Sequence, residues 1–156
     1  MNRIFTGFGF GPIQAGLFVR EAARSGNFDR IVIGEIDQTL IDAVRRNKGR
    51  YQVNIAEKGG IREEAIEGLE VYNPSISTDR RKLIESVSMS TEIATCLPSV
   101  SVYKSGALSS AASILEAGLK KQSAPGTLIY TAENNIRAAE ILSLSIPVVE
   151  GKDAPK

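Results

Sequence analysis

The chain has 156 residues, 42% of them hydrophobic, with 19 basic and 18 acidic side chains and a formal net charge of +1. That is the size of one domain with a core of its own, and so even a charge balance gives no electrostatic reason to expect nucleic acid or an anionic membrane as partner. A single cysteine and no histidine exclude an internal disulfide, Ser-His-Asp triads and His metal ligands; with no ~20-residue apolar run and no signal-peptide pattern, the sequence points to a soluble, cytoplasmic protein.

In chain order, residues 3–8 (RIFTGF) form a short apolar run ending at glycine and predict a buried strand. A helix follows, with Ile13, Gly16, Leu17, Val19 and Ala23 on one broad arc, stopped by Ser25-Gly26-Asn27. Residues 30–36 (RIVIGEI) read as a second buried strand. Asp37 then caps a helix carrying Leu40, Ile41, Ala43 and Val44 on one side. Strand–helix alternation of this kind implies parallel strands with helical crossovers. Residues 51–56, 65–68 and 69–72 read as short antiparallel strands around Gly59-Gly60, an excursion set inside that pattern. Ser77 or Thr78 caps a helix bearing Leu83, Ile84 and Val87. Residues 93–97 (IATCL) make a strand halted by Pro98, and Leu108, Ala111, Ile114, Leu115 and Gly118 form a further helix face. A strand at 127–131, a short helix at 135–142 and a disordered tail at 151–156 complete the expectation.

The stretch FGFGPIQAGLF lies between the first strand and the first helix, where a dinucleotide fingerprint belongs. Its first glycine makes the tight turn, its second lets the backbone approach a pyrophosphate, and its third lets helix and strand pack closely. Gly9 and Gly11 fit the first two roles, although a purely structural turn also explains a GxG. Gln14 stands at the third, with Gly16 two residues on. Phe10, Pro12, Ile13 and Gln14 then belong to the loop and helix start whose N–H groups face an anion. The fingerprint also expects an acid about 20 positions onward, to bind the ribose diol. Glu35, followed by Ile36, ends the second strand; a carboxylate there repels a 2′-phosphate and favours NAD over NADP. Asp37 competes for that role, and a solvated helix-capping acid is the plainer reading. Ligands on open α/β sheets bind at the carboxyl ends of strands. That places Cys96, Leu97 and Pro98 along the cofactor and Glu133 and Asn134 near the nicotinamide and substrate. For Cys96 a small buried core residue is the plainer reading, and for the Glu133–Asn134 pair a helix-start acid and cap.

The segments FGFGPIQAGLF, IVIGEIDQTLIDAV, RYQVNIAEKGG and IYTAENNIRAAEIL together resemble mannitol-1-phosphate 5-dehydrogenase and its relatives, the polyol and hexuronate dehydrogenases of the mannitol dehydrogenase family. Their order and spacing match through most of the chain. The glycine loop is generic, whereas YQV and ENN-I-R are more specific. The resemblance implies a Rossmann-type, doubly wound α/β fold with a mainly parallel sheet over residues 1–150. It implies that Gly9, Gly11, Ile13 and Glu35 hold NAD, that Glu133 and Asn134 match the family's E-N pair near the reaction centre, and that Arg137 stands where the relatives carry an arginine. It also implies a sugar alcohol or sugar phosphate as substrate. Two departures accompany it. The relatives have glycine where Gln14 stands, and their catalytic lysine, with asparagine and histidine partners, belongs to a helical C-terminal domain beyond the last residue here. The chain thus reads as the NAD-binding domain of such a dehydrogenase, inactive alone. The competing readings are a stand-alone NAD(H)-binding or regulatory module and a degenerate Rossmann fold that serves only for interaction.

Overall fold

A computed structural model describes residues 3–122 and 126–146. The expected tail at 151–156 and the last residues of the expected domain, 147–150, lie outside them. The core of the fold is a five-stranded, wholly parallel sheet in the order β5-β2-β1-β6-β7. Its strands are β1 (Ile4–Phe8), β2 (Arg30–Gly34), β5 (Leu69–Tyr72), β6 (Ser90–Thr95) and β7 (Leu128–Thr131). Among these five, the chain winds one way from β1 through β2 to β5, then returns across β1 to β6 and β7. This is a Rossmann-like, doubly wound α/β architecture.

Strand alternation sends side chains to both faces, and each face carries its own core. Phe5, Ile31, Ile33 and Val71 pack beneath Val19 and Ala22 of the first helix and Ile41 and Val44 of α2 (Gln38–Arg46). Ile4, Phe8, Val32 and Ile93 pack beneath Leu83 and Val87 of α3 (Ser77–Met89), Ile114 and Leu115 of α4 (Ala111–Leu119), and Leu142 of α5 (Ala138–Ser145). Gly118 lets α4 lie close on α3, since a Cβ there would run into Val87. No helix among the described residues is long and apolar enough to cross a membrane.

Several expectations are corrected. Residues 69–72 are not antiparallel: β5 joins the main sheet in parallel with β2, Ile31 opposite Leu69 and Gly34 opposite Tyr72. The antiparallel excursion is a two-stranded hairpin, β3 (Tyr51–Glu57) with β4 (Gly60–Ile66). Four apolar-alternating residues such as LEVY do not themselves reveal strand direction. The first helix opens at Pro12, and its longer α-helical stretch is α1 (Arg20–Ser25). Gln14–Val19 is π-wound. The i→i+5 winding changes the helical phase, so Ile13, Leu17 and Ala23 point to solvent while Gln14, Val19 and Ala22 are buried. Ala43 on α2 is exposed as well. α3 begins at Ser77 without a side-chain cap. Leu108 sits exposed in a 3₁₀ turn (Ala107–Ser109) ahead of α4, whose cap is Ser110. The last helix starts three residues later than expected, at Ala138.

Candidate functional site

β1 lies between β2 and β6, where the winding reverses, and its carboxyl end opens into the glycine loop. The Gly9 N–H donates to Gly34 O (2.8 Å) and the Cys96 N–H to Phe8 O (2.9 Å), which ties the ends of β1, β2 and β6 together. Gly9 has φ +82°, and a Cβ there would stand 2.6 Å from Cys96 O. The fold alone therefore requires glycine at that position. Gly11 differs: it lacks the left-handed backbone, and a Cβ would meet nothing within 4 Å. No contact among the described residues accounts for its glycine. Pro12 opens the helix, where its missing N–H costs nothing. Ala15 N–H donates to Gly11 O (2.9 Å), so the amides of the preceding turn have no intrahelical acceptor.

Gln14 fills the place of a third fingerprint glycine by an exchange of volume. Its side chain is fully buried and lies over Gly7 of β1, where a Cβ would overlap the Gln14 amide nitrogen. The strand, not the helix, carries the glycine that permits close approach. Gly16 does not take over that role, because a Cβ there would touch nothing within 4 Å. The Cys96 thiol donates to Gln14 Oε1 (2.7 Å), while Gln14 Nε2 is buried without a hydrogen-bond partner among the described residues. Burial, reinforced by the Glu133 carboxylate, pushes the Cys96 thiol up to about 12, so it remains a protonated donor at neutral pH.

Glu35 follows β2 and reaches the loop. Its Oε2 accepts from the Phe10 N–H (2.7 Å), and Oε1 accepts from the Ile36 and Asp37 N–H groups (2.7 and 2.9 Å). Asp37 caps α2, with Oδ1 accepting from Thr39 and Leu40 N–H (2.9 and 3.2 Å). The two acids flagged by the sequence thus divide: Asp37 serves the helix, and Glu35 lies against the glycine loop. Ile36, beside it, is 71% exposed.

Glu133 follows β7 and turns inward. Its carboxylate accepts from Leu97 N–H (2.9 Å), Thr95 hydroxyl (3.0 Å) and the Tyr103 hydroxyl. It thereby pins the segment after β6 that carries Cys96, Leu97 and the exposed Pro98. Tyr103 is 1% exposed, and burial with the Glu133 hydrogen bond raises its phenol pKa. Asn134 is exposed next to this network. Asn135 accepts from Arg137 N–H (2.8 Å), and the Arg137 guanidinium pairs with Glu140 (2.6 Å) at the surface. Gly7, Thr95 and Tyr103 were not flagged by sequence reasoning, and Tyr51 stood out only within YQV, as part of the family resemblance and with no role assigned. Tyr51, Thr95 and Tyr103 act through partners thirty or more positions away in the chain; the strand position of Gly7, seven residues before Gln14, offered a local signal. Among the described residues no group of three or more His, Cys, Asp or Glu side chains could hold a metal ion. Neither the protein-family models nor the curated proteins compared with the chain give a significant match.

Proposed function

We propose that the chain is the NAD-binding domain of a dehydrogenase acting on a sugar alcohol or sugar phosphate, of the mannitol-1-phosphate 5-dehydrogenase kind that its sequence resembles. The observation that carries this reading is the Glu35 carboxylate at the end of β2, hydrogen-bonded to the N–H of Phe10 within the glycine loop. A dinucleotide needs an anion cradle and a diol acceptor side by side at a topological switch point. The residues fit that need. The cradle around Gly11 is open where a side chain would fill it, the amides that follow it lack intrahelical acceptors, and the Glu35 carboxyl group stands beside them on the Phe10 N–H.

In this reading the loop from Gly9 to Gln14 receives the pyrophosphate through its backbone. Glu35 accepts from a ribose hydroxyl and repels a 2′-phosphate, with Ile36 offering an apolar side chain beside it. Cys96, Leu97 and Pro98 line the nicotinamide half, with Glu133 as their inner brace and Asn134 exposed toward substrate. When bound, NAD would exchange hydride with a secondary alcohol carbon. A second reading, a module that binds NAD(H) without catalysis, draws support from Glu133: three donors already occupy its carboxylate, which leaves it ill placed to act as a base.

Calorimetric titration with NAD, NADH and NADPH tests the cofactor assignment. NADH should bind more tightly than NADPH, and Glu35→Ala should weaken NADH and narrow the difference. Equal or tighter binding of NADPH by the wild-type chain removes the ribose role of Glu35.

A further inference from the structure

The β3–β4 hairpin folds back onto the glycine loop, and its first residue makes the decisive contacts. The Tyr51 hydroxyl donates to Ala15 O (2.7 Å) inside the π-wound turn. Its ring stands edge-on to Phe10, centroids 5.1 Å apart and planes at 84°. Phe10 is the buried residue between Gly9 and Gly11, and its N–H is already held by Glu35. The loop is thus gripped twice at one residue, through its backbone by Glu35 and through its ring by Tyr51. The hairpin is fastened to the same helix by Arg20 and Glu64 (3.0 Å). Burial raises the Tyr51 phenol pKa, so the hydroxyl is a donor at all physiological pH.

We propose that Tyr51 is a positioning residue that sets the glycine loop for a pyrophosphate-bearing ligand without touching that ligand. A loop with two glycines in three residues is costly to order. A brace that orders it in the free protein removes that cost from binding. The proposal rests on the glycine loop being the cofactor site, and the test separates the two claims. Tyr51→Phe keeps the ring against Phe10 and removes only the hydroxyl donor to Ala15; Tyr51→Ala removes both. Amide exchange at residues 10–15 of the free protein reads loop order with no ligand present. NADH and adenosine titrations, the latter by NMR, read whether the effect belongs to the phosphates. Tyr51→Phe should retain its circular dichroism, exchange these amides faster, and bind NADH about threefold to tenfold more weakly, with adenosine unchanged. Tyr51→Ala should lose more, and if it fails to fold, Tyr51→Phe carries the test. Unchanged loop exchange together with unchanged NADH affinity in Tyr51→Phe overturns the proposal, as does an equal loss for NADH and adenosine. A wild-type chain that does not bind NADH overturns the cofactor reading instead, and the exchange rates still decide whether Tyr51 orders the loop.

Discussion

Gln14 and Gly7 share one volume: the buried amide of Gln14 occupies the space that a side chain on Gly7 would need. Helix and strand approach closely at this point in a dinucleotide fold, and the usual arrangement removes the side chain from the helix. Here it is removed from the strand, and the helix side chain runs across to meet the Cys96 thiol.

Gly7→Ala should therefore be destabilising by about 1–3 kcal/mol, the range for forcing extra atoms into a packed interior. Gln14→Gly should cost a similar amount for a different reason, a cavity and a glycine inside a helix. The double variant should recover part of the loss, with a coupling energy of about 0.5–3 kcal/mol measurable by urea denaturation. Strict additivity would mean that the two positions do not share that volume.

Gly9 and Gly11 should respond oppositely. Gly9→Ala meets both a left-handed backbone and Cys96 O, and should lower stability by about 1–3 kcal/mol. Gly11→Val meets open space and should change stability by less than about 1 kcal/mol. Its branched side chain would nonetheless stand where a pyrophosphate approaches, so NADH binding should be lost with circular dichroism intact. Retained affinity would reduce this glycine to a turn residue.

The contrast shows how far the sequence reaches. Alternating apolar runs and helix faces such as Ile41–Val44 and Ile114–Leu115 specify the layers, because burial imposes the period directly. The direction of β5 depends on what its neighbour is, which a four-residue pattern does not contain. The π-winding over Gln14–Val19 changed which residues faced inward, and no local propensity marks it. The loop and Glu35 were legible because fixed spacing from the strands positions them. The contacts of Tyr51, Thr95 and Tyr103 were not, because each matters through a hydrogen bond to a residue thirty to thirty-eight positions away in the chain, reachable only after folding.

Alkaline pH should unfold the protein through its buried acids. The Cys96 thiol is raised from 9.0 to about 12 and the Tyr103 phenol is raised above 10.0, so the folded state holds protons that the unfolded chain releases. The unfolded state then binds fewer protons, and stability falls as pH rises. The Cys96 contribution is fully present below about pH 9 and is lost between there and about pH 12. Cys96→Ala should flatten the decline of the denaturation midpoint across that window. Wild-type Cys96 should also react far more slowly with a thiol reagent at pH 8 than the unfolded chain does, since the thiolate is the nucleophile. Rapid labelling of the folded protein would contradict the protected thiol.

The last expectation concerns activity. The chain should bind cofactor yet show no measurable oxidation of polyols or sugar phosphates. Hydride transfer from an alcohol requires a base for the hydroxyl proton, a contribution on the order of 10²–10⁴-fold, and donors aimed at the developing alkoxide. Among the described residues Glu133 is the carboxylate buried at the carboxyl edge of β7, but Leu97, Thr95 and Tyr103 already donate to it. Using it as a base would require breaking the network that holds the segment after β6. Lys120, the residue that ends α4, pairs with Glu116 of that helix, and Lys104 and Lys121 are exposed. Asn134 remains free to orient a substrate oxygen, and an amide is not a base. The assay follows NADH absorbance with mannitol 1-phosphate, mannitol, fructuronate and tagaturonate, each in its favourable direction. Robust turnover that survives Glu133→Gln would place the base on a residue other than those named here, and turnover abolished by Glu133→Gln would make that buried carboxylate catalytic after all.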